Sequence, residues 1–417
     1  MFINIDSADR TRSIVLQLLI VLSVILLHFT PINVGGYPLT LGFIGAVTLM
    51  AFGVRIQVGF PSVVFFVLCT FLLCLMHLPR WLHGELNFID YWKSQAIIFT
   101  TACYLFFSVN GRLLLERSTF IRALKFSLLI LSVFLLLQFS TFYVLGWQGL
   151  FGVFGDYSYM GVNHDAVTQG SIRCYGFYLE PSYCAMVVLF LGACLAVLRQ
   201  LNYVWMAVIL VDILFIKSVF GFAVYFVLLA YFAYIKGMIA LRLTPRHLVY
   251  LAAGLSTISV LFISGVFDPI LSRFDELYTP GTSGYFRFIA PGALMVDTLL
   301  NHPFGYGPGS VEAVMSLQNI SLGENKTQLS LDNGIYLLIL YYGAFGLLSV
   351  LYLIFSSVRH FLLGEDRKSF MFIMILMSLN FTGGGIFNLE YIFLVALLFW
   401  SASATYREDL QYENTAA

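Results

Sequence analysis

Charge is what this 417-residue sequence has least of: Asp, Glu, Lys and Arg together make up 11% of it, against 60% hydrophobic residues. The mean hydropathy is +0.88, and a soluble domain could not cover such a chain with enough polar surface to stay in water. The 22 basic and 22 acidic residues cancel, so no basic surface points to nucleic acid. Cysteine is too sparse and scattered for a disulfide framework. Cys69, Cys74, Cys103 and Cys194 lie in apolar runs, and Cys174 and Cys184 flank a single motif. A bridge between those two is open, but nothing in the sequence fixes its geometry and free thiols are the favoured reading. His28, His77, His83, His164, His247 and His360 show no metal-ligand spacing, and there is no Ser/His/Asp pattern and no phosphate-binding loop. No metal and no cofactor is therefore expected. A cleavage site is also missing: PINVGGYP, after the first apolar run, has no small-x-small pattern, so that run is expected to stay as a membrane anchor.

What the chain has in abundance is apolar runs of roughly 15–25 residues, the mark of a helical protein with many membrane spans. Twelve are expected, near 14–30, 38–53, 60–78, 95–109, 123–146, 182–198, 203–217, 219–236, 248–266, 333–357, 370–383 and 388–404. Residues 1–417 would form one transmembrane domain, all-α and polytopic. With the N-terminus cytoplasmic, 15 of the 22 Lys and Arg fall on inside segments and seven outside, as the positive-inside rule requires. Both termini are then cytoplasmic. Two long periplasmic loops, 147–181 and 267–332, carry short helices, one of them amphipathic near 285–300. Loops of that length in a compact membrane protein usually serve function.

Three groups could carry chemistry. The first is RCYGFYLEPS, with Arg173 and Glu180 seven residues apart ahead of an apolar run. Pro181 suits the first helical turn, which puts Glu180 at the N-cap, and an Arg beside a helix N-terminus is a ready anion site. The pair reads either as a structural ion pair or as a diphosphate ligand with a general base beside it. The second is Arg287 followed by NHPFGYGPG, whose alternating glycines let a backbone turn tightly and approach a ligand. Arg287 could equally meet lipid headgroups, and His302 reads as a turn residue. Arg273 is similarly placed, with Asp275 and Glu276 as ordinary partners. The third is DNGIYL, where Asp332 is again a carboxylate at a helix start, with Tyr336 one turn on. Within the spans, Asp212 stands out as an ionisable group at depth, and Lys217 could pair with it only if the helix unwinds.

R-x-x-G-F-x-x-EPS, Arg287 with HPFGYGPG, and DNGIYLLILYYGAFGLL together resemble the Wzy-type O-antigen and exopolysaccharide polymerases of bacteria, within the O-antigen ligase and polymerase superfamily. The likeness covers roughly residues 170–355. It implies a fold similar to the ligase-type, GT-C-like glycosyltransferases, and a location in the bacterial inner membrane with the active site facing the periplasm. It also implies a reaction, transfer of a growing glycan from undecaprenyl diphosphate to the terminal sugar of another lipid-linked unit. Glu180 and Asp332 would then be the catalytic carboxylates, and Arg173, Arg273, Arg287, His302 and Tyr336 would bind substrate, without a metal. The partners implied are undecaprenyl-diphosphate-linked glycans and membrane lipid, with a chain-length regulator protein as a further candidate. One departure bears on the product. The ligases typically open the third motif with His-Asn, where this chain has Asp332-Asn333, which favours polymerase over ligase. A flippase is the reading from another class, but a transporter should place its binding charges in the spans near the midplane, and only Asp212 does so.

Overall fold

The computed structural model describes residues 5–30, 32–34, 37–75, 88–147, 150, 173–178, 180–238, 256, 278–279, 283–311, 314, 333–379 and 389–416. The expected span 248–266, the Gly383–Gly385 break and most of both long loops lie outside the described residues. Thirteen helices run through the rest: α1 (Ile5–Ile25), α2 (Leu41–Gly53), α3 (Phe60–Leu75), α4 (Phe88–Val109), α5 (Arg117–Leu145), α6 (Pro181–Val197), α7 (Tyr203–Ile216), α8 (Val219–Ile235), α9 (Ser283–Asn301), α10 (Gly334–Tyr342), α11 (Ala344–Leu362), α12 (Asp366–Ser378) and α13 (Leu389–Ala416). Among the described residues the strands are two small antiparallel ribbons. β1 (Ile32–Val34) pairs with β2 (Tyr37–Leu39) between α1 and α2, and β3 (Val54–Ile56) pairs with β4 (Gly111–Leu113) beneath α2 and α4.

The fold is helical because an apolar chain in lipid must satisfy every backbone group within its own segment. Among the described residues α5 and α11 are long and apolar enough to cross a membrane, and only 22% of the most apolar stretch of each is buried inside the protein. They turn Leu129, Val133, Leu136 and Leu348, Leu351, Phe355 outward. That face suits hydrocarbon and would be costly in water. Seven more apolar helices of 10–17 residues stand beside them.

At the centre is α6. Every residue from Cys184 to Leu198 is buried, and a helix that is apolar on all faces belongs in the middle of a bundle. Helices α5, α7, α8, α12 and α13 pack around it. One end of the bundle is tied by charge: Arg199 pairs with Asp366 at 2.5 Å, Tyr231 donates to the same carboxylate at 3.0 Å, and Arg117 donates to the Leu198 carbonyl at 2.9 Å. The opposite end carries the start of α6 and the Arg173–Glu180 loop.

One expected span is corrected. Residues 333–357 do not form a single helix; they break at Gly343, which sits at φ +55° and ψ −125° between α10 and α11. That conformation is closed to residues with a side chain, and a Cβ there would lie 2.1 Å from the Pro303 carbonyl oxygen. At the break the helix meets the backbone of a loop from elsewhere in the chain. The turn expected at Lys217-Ser218 is present: Lys217 ends α7 in the left-handed conformation, and the Ser218 hydroxyl caps α8 by accepting from Gly221 N–H at 3.1 Å.

Candidate active site

The Arg173–Glu180 loop is built from the helices around it. Cys174 N–H donates to the Phe215 carbonyl at the end of α7 at 3.1 Å, and the Tyr178 hydroxyl donates to the Val24 carbonyl of α1 at 3.1 Å. Phe177 stacks on Phe134 of α5 with ring centroids 4.0 Å apart. At the loop's midpoint Gly176 takes φ +61°, where a Cβ would meet Leu131 Cδ1 at 2.8 Å and Cys184 Sγ at 3.3 Å. Glu180 follows in extended backbone and Pro181 opens α6, as expected, so Glu180 does occupy the N-cap. Its carboxylate, however, makes no capping hydrogen bond; only its carbonyl serves the helix, accepting from Cys184 N–H at 3.2 Å. The carboxylate is thus not committed to holding the helix start. Burial pushes the Cys174 thiol up to about 12, against the opposing pull of nearby Lys217, and Tyr175 is pushed up to about 12 as well. Neither is a ready nucleophile, and both Cys174 and Cys184 are free thiols.

In the second group the glycine-rich turn packs against the chain itself. α9 carries Arg287 in its first turns and ends at Asn301. Gly305, Gly307 and Gly309 all have positive φ, +80°, +90° and +81°. The close approach that Gly305 permits is to the chain itself, since a Cβ there would lie 2.3 Å from the Tyr341 carbonyl oxygen. Tyr306 N–H donates to the Leu340 carbonyl at 2.7 Å, Gly307 N–H to that of Tyr341 at 3.2 Å, and Ala344 N–H to that of Pro303 at 2.8 Å. The glycine-rich loop is docked in the break between α10 and α11. His302 lies in this loop with its ring centroid 4.2 Å from that of Tyr306. The Tyr306 hydroxyl donates to Asp297 at 2.6 Å and Asn301 donates to it at 2.8 Å. These two bonds, Tyr306 first, hold the Asp297 carboxyl below its ordinary value.

In the third group the cap belongs to Asn333, whose side chain accepts from Ile335 N–H at 3.0 Å. Asp332, like Arg273, lies outside the described residues, so the capping role considered for it falls to its neighbour. Tyr336 is half-buried on α10. Gly334 N–H donates to the Leu379 carbonyl at 2.8 Å, which ties the start of α10 to the end of α12. Since α12 packs on α6, the starts of α10 and α6 lie at the same end of the bundle. The structure thus gathers Arg173, Glu180, Asn333 and Tyr336 at one end of the bundle.

Sequence reasoning missed several polar groups here. His28 is buried at the end of α1 and meets Tyr178 and Tyr183 edge-on, at centroid distances of 5.6 and 4.8 Å. Thr40 caps α2 and donates to Glu390 at 2.6 Å. Gln138 is fully buried in α5 and bonds the backbone of Gly176. A lone glutamine amid LLLQFS was the available signal for the last. Asp212 is 2% exposed and bonded to Ser132 at 2.6 Å. α7 stays wound to Ile216 and Lys217 closes it, so the Asp212–Lys217 pair considered from sequence is replaced by a bond to α5. Among the described residues no three His, Cys, Asp or Glu gather as a metal site would require.

The model of the family described as WcaD colanic acid polymerase matches residues 15–404. The chain belongs to that family. It is also 27% identical over 238 residues to a protein of Escherichia coli (strain K12) named "Putative colanic acid polymerase". That match covers 55% of this chain and 57% of the relative, so the chain spans little more than half the length of the curated relative it matches. The resemblance to Wzy-type polymerases read from the three motifs agrees with this family, and both the Arg173–Glu180 loop and the docked glycine loop fall within the matched residues.

Proposed function

We propose that the protein polymerises undecaprenyl-diphosphate-linked repeat units into an exopolysaccharide at the periplasmic face of the inner membrane. The observation that carries this reading is the family match over residues 15–404, which takes in each of the three motifs. In the reaction, the bond between the donor's anomeric carbon and the lipid diphosphate breaks and a bond to the acceptor hydroxyl forms. The acceptor proton passes to a carboxylate and undecaprenyl diphosphate leaves. Arg173, with Arg287 and Arg273, holds the diphosphate and stabilises the charge that develops on it. Glu180 aligns the acceptor hydroxyl and takes its proton, and its carboxylate's absence from the helix cap supports that role. Asp332 is the second candidate base. His302 and Tyr336 line the sugar-binding side.

The arginines supply the electrostatic work without a metal ion. Twelve spans with both termini cytoplasmic place loops 147–181 and 267–332 in the periplasm, where a chain-length regulator could reach them. The test is incubation of the purified protein with lipid-linked repeat units, with and without EDTA. The expected result is a ladder of lipid-linked oligomers that EDTA leaves unchanged. A single transfer to lipid A core would point to a ligase. Unaltered substrate that crosses a liposome bilayer would point to a flippase.

A further inference from the structure

A glutamine amide is costly inside a helix that faces lipid unless each of its polar atoms is bonded. Gln138 lies in α5, three-quarters of the way towards its Leu145 end, and is 0% exposed. Its amide is used in full on its donor side. Oε1 accepts from Gly176 N–H at 2.9 Å, while Nε2 donates to the Gly176 carbonyl at 3.2 Å and to the Leu150 carbonyl at 3.3 Å. The side chain therefore pairs with Gly176 much as one strand pairs with the next, through one donor and one acceptor. The residue so held is the midpoint of the loop, three positions after Arg173 and four before Glu180. Gly176 is also left-handed at φ +61° and in contact range of Leu131 and Cys184, so only a backbone with no side chain can be drawn this close to α5.

From this geometry we infer that Gln138 is a positioning residue of the transfer reaction: it clamps the backbone of Gly176 and so sets the relative placement of Arg173 and Glu180. This rests on the reading of those two residues as reaction machinery given above. Gln138 itself meets neither substrate nor reacting atoms. It acts through the loop, where a displacement of about 1 Å can cost on the order of 10²-fold in rate.

Two substitutions separate the clamp from mere packing. Gln138→Met keeps the length and volume of the side chain and removes all three hydrogen bonds. Gln138→Glu keeps an acceptor, and when protonated regains one donor, so the neutral acid can still pair with both groups of Gly176. Purified full-length variants are compared with wild type in two assays. The first is turnover against lipid-linked repeat units across a pH series, and the second is hydrogen exchange of the segment spanning Arg173 to Glu180. Gln138→Met should lose on the order of 10²-fold in kcat at every pH, with faster exchange at Gly176 and unchanged exchange in α6. Gln138→Glu should recover activity relative to wild type as pH falls and the acid is protonated, which a packing defect would not do. Wild-type turnover and wild-type exchange in Gln138→Met would overturn the clamp. So would a Gln138→Glu variant whose activity, relative to wild type, does not change with pH. Should the wild-type protein make no oligomer ladder, the polymerase reading fails, and exchange at Gly176 alone decides whether Gln138 holds the loop.

Discussion

The docking of the glycine-rich loop into the broken helix can be tested at a single atom. Gly343→Ala places a Cβ 2.1 Å from the Pro303 carbonyl oxygen, 2.5 Å from its carbon and 2.6 Å from Gly305 N. All three are backbone atoms, so no side chain can swing aside, and the loop must move. Moving it strains or breaks the three bonds that dock it, from Tyr306 to Leu340, Gly307 to Tyr341 and Ala344 to Pro303. At about 0.5–1.5 kcal/mol each, their loss costs roughly 1.5–4.5 kcal/mol. The backbone conformation adds about 1–3 kcal/mol for a residue bearing a side chain. The sum, about 2.5–7.5 kcal/mol, is a large share of a typical folding stability of about 5–15 kcal/mol.

A control isolates the second contribution from the first. Gly364 also has positive φ, +76°, at the end of α11, but a Cβ there meets nothing within 4 Å. Gly364→Ala should therefore pay only the backbone cost. The assay is thermal unfolding in detergent alongside polymer yield. Gly343→Ala should melt several degrees below Gly364→Ala and make little polymer. Equal melting points for the two alanine variants would refute the docking as the source of the break.

Three further outcomes are expected. Glu180→Gln should lower turnover by roughly 10²–10⁴-fold with protein abundance unchanged, since no helix cap is lost. Asp332→Asn should keep most activity because Asn333 supplies the cap, and the reverse ranking in a complementation assay would move the catalytic carboxylate to Asp332. At Arg173 and Arg287, Ala should abolish polymer and Lys should retain only part of it, because Lys lacks the planar fork; near-normal polymer from Arg287→Ala would return that residue to the lipid headgroups. Cysteines introduced at Asn163 and Gln318 should label with an impermeant reagent in cells whose outer membrane is permeabilised, and labelling only after lysis would invert the topology.

Local chemistry was legible in the sequence wherever its cause was local. Pro181 marks the start of α6 because its fixed φ and missing N–H suit that position alone, and Ser218 marks the start of α8 by its hydroxyl. The central place of α6 was also within reach, since a run from Cys184 to Leu198 with no polar face has no side to show to water. The break at Gly343 was not legible. LLILYYGAFGLL is apolar throughout, and a single glycine is tolerated in a helix at about 1 kcal/mol. What lies against Gly343 is Pro303, forty residues earlier. Likewise, sequence cannot say which backbone comes close to Gly305 of FGYGPG. Gln138 is the same case, with its partner Gly176 lying 38 positions away.

On the proposed function, the brevity of α6 would set the depth of the chemistry. Its 17 residues rise only about 26 Å, against a hydrocarbon layer of about 30 Å. If the Arg199–Asp366 pair anchors one end in the polar zone, the loop at the other end would begin below the plane in which lipid phosphates lie. A diphosphate on a long isoprenoid tail would meet that loop by lateral diffusion, sinking slightly rather than being pulled free. Water would then come to the same place only through whatever gap the neighbouring helices leave, which would protect a sugar–diphosphate bond from hydrolysis while an acceptor is awaited.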